Sequence, residues 1–358
     1  MQAFYKSCKI KKISYNEASQ NKNGGFIMKK IGLIGAGVWG TSLALTAARA
    51  GCEVMAWAIE PEVVTAINHA HVNSMYLSDV PLPDSIKATS SLEEVFAFAN
   101  EILMVSSAQH TRSVLEKAKA FIKPTHRLIL CAKGIELNTG LLLSEVVKQV
   151  TPEAHIAVLS GPGFAHEVAL MKPTATTIAC EEEHCAATLA EMIGTKYFRP
   201  YTTTDIISPQ IGGSVKNVIA LASGVVEGAG LGDNARAALI TRGLNEMTRL
   251  SKKMGGHVRT MMGMCGLGDL VITANCTQSR NFSFGYEVGR IGEAKTLLNN
   301  NTRTVEGILT TPAVLLRAHE LGVEMPICET VNDVLFKNMP IKEAMNELLS
   351  RPFKDEGF

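Results

Sequence analysis

A glycine-rich segment near the start of the chain, IGLIGAGVWG at 31–40, constrains the fold more than any other feature. An apolar run leads directly into Gly35, Gly37 and Gly40, the G-x-G-x-x-G spacing of a turn from a buried strand into a helix. Gly35 permits the tight turn, Gly37 lets the backbone approach a pyrophosphate, and Gly40 lets the helix pack against the strand. Phosphates would lie at the helix N-terminus, where unpaired N–H groups and the helix dipole favour an anion. The segment therefore predicts a dinucleotide site.

The segments on either side of these glycines complete a strand–helix–strand unit. The apolar pattern predicts a strand over 29–35, a helix over 41–50 and a second strand over 53–58. The dinucleotide fingerprint requires such a unit, so its context favours a cofactor site over a purely structural turn. An acidic residue near the end of the second strand selects NAD through the ribose hydroxyls, whereas a nearby arginine admits NADP. Glu60 lies slightly late for the first role and Arg49 lies close in sequence, so NAD and NADP both stay open.

Strands and helices continue to alternate up to about residue 201. The further elements predicted here are strands over 101–106, 127–131 and 156–159 and helices over 92–100, 112–121 and 141–150. This alternation indicates a parallel sheet covered by helices on both faces.

Beyond residue 201 the strand pattern fades and the chain becomes mostly helical. The helices predicted there cover 212–227, 234–254, 311–321, 329–337 and 342–349. We therefore predict an α/β fold, with an N-terminal Rossmann-type, mostly parallel sheet over 28–207 and a C-terminal all-helical substrate domain over 208–358.

Residues 1–27 carry five lysines and no continuous apolar core. We expect them to be an extension that is disordered or not translated, with Met28 as the candidate start.

Charge and cysteine content narrow the class of protein further. Lysine and arginine total 35 against 34 aspartate and glutamate, so nothing indicates a nucleic-acid partner or a polybasic membrane surface. Polar residues interrupt each longer apolar stretch before it could span a bilayer, which predicts no integral membrane association and a cytoplasmic protein.

The eight cysteines form no C-x-x-C pair, and no histidine lies at metal-ligand spacing. We therefore expect reduced cysteines and no metal.

Two of the predicted strands end in small residues that are typical of ligand sites. Ala132-Lys133-Gly134 follows one strand, and SGPG at 160–163 follows the next. Ligands of parallel sheets bind beyond the carboxyl ends of the strands. Lys133 is therefore a candidate anion contact, with an ordinary surface lysine as the alternative on these residues alone.

Several motifs in the second half occur in a fixed order. They are GGSVKN at 212–217, NAR at 234–236 with ITRG at 240–243, GLGDL at 266–270 and QSRN at 278–281. With AKG and SGP ahead of them, they make the chain resemble the bacterial NAD(P)-dependent glycerol-3-phosphate dehydrogenases from about Met28 to Glu356. The resemblance implies the interconversion of dihydroxyacetone phosphate and sn-glycerol 3-phosphate with NADP or NAD, mostly for phospholipid synthesis. It also implies a homodimer.

The same resemblance assigns site residues by position. Lys216 would be the catalytic acid/base. The substrate would contact Lys133, Gly161, Gly163, Lys216, Asn217, Asp269, Ser279, Arg280 and Asn281. Thr273, one helical turn beyond Asp269, is expected to join that pocket. The cofactor site, beyond the three glycines, would include Val38, Trp39, Lys133, Ala165, Arg280, Thr304 and Glu306.

Three positions depart from the family pattern. Val38 replaces a usual serine, and Gly163 stands where serine or threonine is common. Both can still offer backbone N–H groups. Ile59 replaces a frequent polar residue at the end of the second strand, which leaves the preference for NADP open.

A lysine suits this chemistry because the oxygen of a ketone under reduction must be stabilised and then protonated. The free pKa of lysine, about 10.4, must be lowered by burial or by a second cation for efficient proton transfer at neutral pH. Lys133 is the expected cation, Asp269 would orient the Lys216 ammonium, and Asn217 would bind substrate hydroxyls. The apolar neighbours of Lys216 argue against a solvated surface lysine. For Asp269 the alternative is a helix cap or turn residue.

A substrate that carries a phosphate also needs a fixed anion site. Arg280 offers a bidentate fork, and Ser279 and Asn281 add donors beside an expected helix start. A solvated surface arginine is the alternative, which the QSRN match makes less favourable.

Two other functions fit parts of this pattern. A β-hydroxyacid dehydrogenase also combines a Rossmann domain, a helical domain and a catalytic lysine, but it acts on carboxylates, whereas the segment 279–281 favours a phosphate. A non-catalytic dinucleotide-sensing protein would need no lysine–aspartate set. The presence of Lys133, Lys216 and Asp269 together therefore argues against a sensor.

Overall fold

The computed structural model describes residues 29–301 and 304–352, and the predicted extension over 1–27 lies outside them. The strands are β1 Lys29–Ile34, β2 Cys52–Trp57, β3 Val72–Asn73, β4 Leu77–Pro81, β5 Ile86–Thr89, β6 Glu101–Met104, β7 Arg127–Leu130, β8 His155–Ser160, β9 Thr174–Cys180 and β10 Phe198–Thr203. One sheet has the order β10-β9-β8-β7-β6-β1-β2-β5, and β3 and β4 form a separate antiparallel pair. Neighbours in the large sheet run parallel except β8 and β9. The prediction of a mostly parallel, Rossmann-type sheet is confirmed.

Helices cover both faces of this sheet. They are α1 Val38–Arg49, α2 Pro61–Thr65, α3 Leu92–Phe98, α4 Thr111–Ala118, α5 Leu143–Val150, α6 Ala165–Ala169 and α7 Glu183–Ile193. Buried side chains form two clusters, with Leu33 in one and Ile34 in the other. Successive residues of a strand point to opposite faces, so these clusters are the two cores above and below the sheet.

The turn between β1 and α1 depends on glycine for its shape. Gly35 has a φ of +106°, and a Cβ there would lie 2.8 Å from the backbone nitrogen of Ser106. A Cβ on Gly40 would overlap the carbonyl oxygen of Gly35, so glycine is what lets α1 approach β1 this closely. A Cβ on Gly37 would meet no heavy atom within 4 Å. The turn is therefore tight on its inner side and open where a ligand would approach.

The helical half is organised around one long central helix. Its helices are α8 Ile207–Gly228, α9 Asp233–Lys253, α10 Val258–Met261, α11 Asp269–Ala274, α12 Arg280–Ile291, α13 Lys295–Asn299, α14 Glu306–Leu321, α15 Pro326–Phe336 and α16 Ile341–Leu349. Almost all of α8 is buried, and α9, α11, α12 and α14 pack against it. A third apolar cluster fills the space between these helices. The prediction of a C-terminal helical half is confirmed.

No helix within 29–301 and 304–352 has both the length and the apolar character needed to cross a bilayer.

Some elements differ from the prediction. The helix α8 begins at Ile207 rather than at 212, and α14 begins at Glu306 rather than at 311. Cys180 and Cys185 form a disulfide, which corrects the expectation of reduced cysteines for these two. The other described cysteines are free. Cys180 ends β9 and Cys185 lies in the first turn of α7, so the tight connection brings their Cα atoms within 6.1 Å, a distance that a disulfide can bridge.

A segment after β7 joins the two halves. Ile135 and Leu142 face each other across a single β-bridge, and both side chains belong to the core of the helical half. Gly140, at the tip of this segment, lies against the backbone of Arg317 in α14. The Arg317 guanidinium also bonds to the Glu145 carboxylate at 2.6 Å. The sheet half is therefore anchored inside the helical core as well as through the chain between Thr203 and Ile207.

Candidate active site

Two lysines and an aspartate form a buried charged cluster where the two halves meet. The Lys216 ammonium donates to Oδ1 of Asp269 at 2.7 Å, and the Lys133 ammonium donates to Oδ2 of the same carboxylate at 2.7 Å. Lys216 also donates to Oγ1 of Thr273 at 2.8 Å, and Lys133 donates to the carbonyl of Gly161 at 2.8 Å. The side chains of Lys216 and Asp269 are 8% and 1% exposed. The sequence-predicted lysine–aspartate set is thus one connected unit.

Each member of this cluster comes from a different element. Lys133 follows the carboxyl end of β7, Lys216 lies in the middle of α8, and Asp269 begins α11. A short π-helical turn over Met264–Gly268 leads into Asp269. A Cβ on Gly212 would overlap the carbonyl oxygen of Cys265, so glycine there lets α8 pack directly against this turn. Gly212 of the GGSVKN motif therefore sets how closely the lysine helix approaches the turn that leads into Asp269.

Burial and neighbouring charges together set the pKa of Lys216. Burial is the largest effect and lowers the pKa of Lys216; Asp269 opposes the fall, Lys133 adds to it, and the net pKa is about 8. An ammonium has three N–H donors, and the contacts to Asp269 and Thr273 use two of them. Lys133 likewise has one donor beyond its two contacts. Each lysine can therefore offer one N–H to an oxygen of a substrate.

A chain of amide side chains continues the site from Lys216 towards α12 and α14. Asn217 donates to a carboxylate oxygen of Glu306 at 3.1 Å and accepts from the Asn281 amide at 3.0 Å. The carbonyl of Asn281 in turn accepts from the backbone N–H of Gly307 at 2.8 Å. The structure thus brings the predicted residues Asn217, Asn281 and Glu306 together.

The predicted phosphate contacts lie at the start of α12. Ser279 is its N-cap, and its hydroxyl accepts from the N–H of Phe282 at 3.3 Å, so the expected helix start is present. Arg280 is the first residue of α12 and is exposed, and its side chain has no hydrogen bond or ion pair within the described ranges. Its guanidinium is therefore positioned by its place on the helix and not by protein contacts.

The cofactor side fits a dinucleotide. The helix α1 has no side-chain cap, so its first N–H groups stay open beside the space at Gly37. Val38 is 39% exposed at this end, and the indole Nε1 of Trp39 is buried without a partner in the described part of the chain. Uncapped donors next to open space match the diphosphate of NAD(P).

The remaining predicted residues border the same region. A Cβ on Gly163 would lie 3.7 Å from the Trp39 ring, and the carbonyl of Ala165 accepts from the Ser42 hydroxyl at 2.7 Å. Thr304 is exposed beside the undescribed pair 302–303 and makes no contact with the lysine cluster among those the structure describes.

Sequence reasoning assigned no role to two polar residues at this edge of the sheet, although one of them, Ser160, belongs to the SGPG segment. Asn73 is fully buried and donates to the carbonyl of Ala36 in the glycine turn at 2.8 Å. Ser160 is 3% exposed, and its hydroxyl has no partner among the described residues although it lies close to Gly213. An asparagine in a polar loop and a serine at a strand end give no distinctive pattern, so only the folded arrangement identifies them.

A cavity of about 690 Å³ also exists, but it lies elsewhere in the helical half, between α8, α9, α15 and α16. Its walls are mostly aliphatic, and no sequence-predicted site residue lines it. Within the described ranges no group of histidine, cysteine and carboxylate side chains has the arrangement of a metal site. The lysine cluster is therefore the candidate active site.

Family comparison agrees with this geometry. The model of the N-terminal region of NAD-dependent glycerol-3-phosphate dehydrogenase matches residues 30–186, and the model of its C-terminal region matches residues 205–346. The chain belongs to this family. Membership confirms the resemblance found in the sequence motifs and the prediction of an NAD(P)-dependent oxidoreductase.

Individual members of the family match over nearly their whole length. The glycerol-3-phosphate dehydrogenase [NAD(P)+] of Rhodospirillum rubrum is 46% identical over 331 residues, 92% of this chain and 95% of the relative. The enzyme of the same name from Parvibaculum lavamentivorans is 47% identical over 328 residues, 92% and 98% of the two chains. The crystal structure of glycerol-3-phosphate dehydrogenase from Coxiella burnetii has a TM-score of 0.84 at 37% identity, covering 90% of this chain and 99% of that one. The family fold therefore extends through both halves.

Proposed function

We propose that the chain interconverts dihydroxyacetone phosphate and sn-glycerol 3-phosphate with NAD(P)H, and that Lys216 is its general acid/base. The observation that carries the proposal is the Asp269 carboxylate bridging Lys216 and Lys133 at 2.7 Å on each side. This pair of cations, Lys216 buried and Lys133 partly exposed, suits a carbonyl that gains negative charge during reduction.

The cofactor would be held by backbone N–H groups at the start of α1, with Trp39 and Ala165 lining the same side. When bound, NAD(P)H supplies the hydride that reduces the ketone carbon. Glu306 and Arg280 would border its other end, on the helical half.

Lys216 would stabilise and protonate the ketone oxygen. Asp269 and Thr273 accept from two of the three N–H groups of the ammonium and hold it in place. The third N–H would donate to the substrate oxygen. With a pKa of about 8, the ammonium can release a proton near neutral pH far more readily than an exposed lysine. In the oxidation direction the neutral amine would take the proton of the alcohol.

Lys133 and Arg280 would recognise the negative charge of the substrate. Lys133 adds a second cation beside the reacting oxygen and keeps the cluster net positive despite Asp269. Arg280 offers a guanidinium without a partner among the described residues, at a helix N-terminus, where a phosphate is favoured.

We expect the pH dependence to differ between the two directions. Reduction needs the protonated ammonium, so its kcat should fall as pH rises through about 8, whereas oxidation should rise over the same range. Initial rates in both directions, measured across roughly two pH units around that value, test this. Parallel profiles in both directions would contradict a single acid/base group.

Replacement of Arg280 should mainly weaken substrate binding. Arg280→Ala removes charge-assisted hydrogen bonds to the phosphate, so KM for dihydroxyacetone phosphate should rise ~10- to 100-fold with a smaller change in kcat. Arg290→Ala is the matched control, because Arg290 is exposed on the same helix and pairs with Glu287. An unchanged KM in Arg280→Ala would place the phosphate elsewhere.

The test of the proposed reaction is NADH or NADPH oxidation on addition of dihydroxyacetone phosphate to the purified chain. Oxidation with this substrate but not with β-keto acids, the oxidised forms of β-hydroxyacids, supports the proposal. Oxidation with the carboxylates alone would identify a β-hydroxyacid dehydrogenase, and binding without any oxidation would support a sensor.

The same proposal includes a cytoplasmic homodimer whose glycerol 3-phosphate supplies phospholipid synthesis. Phosphorylated trioses and reduced nicotinamide cofactors are cytoplasmic metabolites, which supports the location. Light scattering of the purified chain at micromolar concentration would test the dimer.

A further inference from the structure

We infer that the chain prefers NADH to NADPH, because the side chains beyond the end of β2 suit a free ribose 2′-hydroxyl and repel a 2′-phosphate. The inference rests on the proposed function and specifies the form of the cofactor. Relatives carry the description NAD(P)+, which does not distinguish the two.

The end of β2 lies directly beside the glycine turn. β2 pairs in parallel with β1, with Trp57 opposite Ile34. The N–H of Gly35 donates to the carbonyl of Trp57 at 3.1 Å, so the turn and the strand end are bonded together. In this fold the residues just beyond the second strand face the ribose of the adenosine. In this chain those residues are Ile59 and Glu60.

Contacts with the segment around β3 hold the Glu60 carboxylate in place. The hydroxyl of Tyr76 donates to Oε1 of Glu60 at 2.9 Å. Asn73, three residues before Tyr76, donates both to the carbonyl of Ala36 in the glycine turn and to Oγ1 of Thr41 in α1, each at 2.8 Å. The hydrogen bond to Glu60 raises the pKa of Tyr76, as an ionised acceptor should. A negative charge is therefore fixed beside the expected ribose position.

Arg49 is the residue for which the sequence kept NADP as a possible cofactor. Its side chain makes contacts with α6 and not at the end of β2. Its guanidinium donates to the carbonyl of Val168 at 3.3 Å and to that of Ala169 at 2.7 Å. Arg49 is also the last residue of the 12-residue helix α1, about 18 Å along the axis from the phosphate-binding end. Arg49 therefore stabilises the packing of α6 and cannot serve a 2′-phosphate.

No other arginine or lysine of this part of the chain lies at the strand end. Between residues 52 and 91 the sequence contains Lys87 as its one lysine or arginine. Lys87 is exposed in the middle of β5, opposite Met55, two residues short of the carboxyl end at Thr89. The position that would carry a cation for NADP is Ile59, whose side chain is apolar and 68% exposed.

Charge decides between the two cofactors at such a site. A phosphate monoester carries about −1.5 to −2 charges near pH 7, and a carboxylate within a few ångströms repels it. A ribose with both hydroxyls free can instead donate to Glu60, which favours NADH.

Binding measured without substrate provides a test that does not depend on turnover. By isothermal titration calorimetry of the full chain, NADPH should bind at least ~10-fold more weakly than NADH. The ratio of kcat/KM with dihydroxyacetone phosphate should have the same direction.

Ile59→Arg is the variant that should change the preference. A guanidinium at this position should lower the Kd of NADPH at least ~10-fold. Ile59→Gln, which is polar but uncharged, is the matched control and should leave the Kd of NADPH nearly as in the original chain.

The outcomes separate this inference from the proposed reaction. Equal or tighter binding of NADPH by the unmodified chain overturns the preference, as does Ile59→Arg with unchanged NADPH affinity. Tighter binding of NADH with no oxidation by dihydroxyacetone phosphate overturns the proposed reaction and supports the preference.

Discussion

Lys216→Ala should reduce kcat by at least ~100-fold, with only a modest change in the Kd of the cofactor. The variant removes the proton donor and one of the two cations that would stabilise the developing oxyanion. Because Lys133 and Asp269 remain, the substrate should still bind, so the loss should lie in kcat more than in KM. Steady-state kinetics, with cofactor binding by calorimetry, measure the two effects separately.

Two further variants make this prediction specific. Lys216→Arg keeps the positive charge but cannot release a proton near neutral pH, so it should lose a comparable part of kcat. Lys148→Ala is the matched control, because the Lys148 side chain is 58% exposed on α5 and pairs with Glu181 rather than with a member of the cluster. Full turnover in Lys216→Ala would contradict the mechanism.

Asp269→Asn should have a second large effect, a fall in kcat/KM of at least ~100-fold. Asp269 is the shared acceptor of both lysines and raises the pKa of Lys216 against the effect of burial. Without its charge, two ammonium groups would face each other in a buried site, and Lys216 would lose its proton at lower pH. The falling limb of the pH profile for reduction should therefore move to lower pH than about 8.

The shift in pH profile distinguishes an electrostatic role from a structural one. If Asp269→Asn merely loosened α11, the activity would fall at every pH and the limb would stay in place. Asp84→Asn is a matched control, since the Asp84 side chain is 90% exposed and its one ion pair is with His71. A melting temperature close to that of the unmodified chain would show that the variant is folded.

The parts of the fold that could be predicted from the sequence are those with strong local signals. The glycine turn and the central strands were predictable because an apolar run and three spaced glycines permit few structures. The last two strands, β9 and β10, lack such runs: β9 has the sequence TATTIAC, and β10, at the edge of the sheet, contains Pro200, which is tolerated there. The helix α12 contains two glycines and five aromatic or β-branched residues, so packing against α8 and not propensity stabilises it.

The residues of the candidate site could be predicted from the sequence, but the contacts between them could not. The motifs identified Lys133, Lys216 and Asp269, and the structure places all three in hydrogen-bond contact, while their catalytic roles stay predictions. Nothing in the sequence indicates that one carboxylate serves both lysines, since Lys133 and Asp269 are 136 residues apart. Likewise, the contact of Tyr76 with Glu60 depends on where a loop returns to the glycine turn, which local patterns do not specify.

The anchoring of Ile135 and Leu142 in the helical core limits how the cleft between the halves can move. This segment, the chain between Thr203 and Ile207, and the ion pair of Lys133 with Asp269 all connect the sheet half to the helical half. Because these links lie at separate points, a displacement of one half relative to the other must strain at least one of them. The side chains contributed by the two halves are therefore held in register before a substrate arrives.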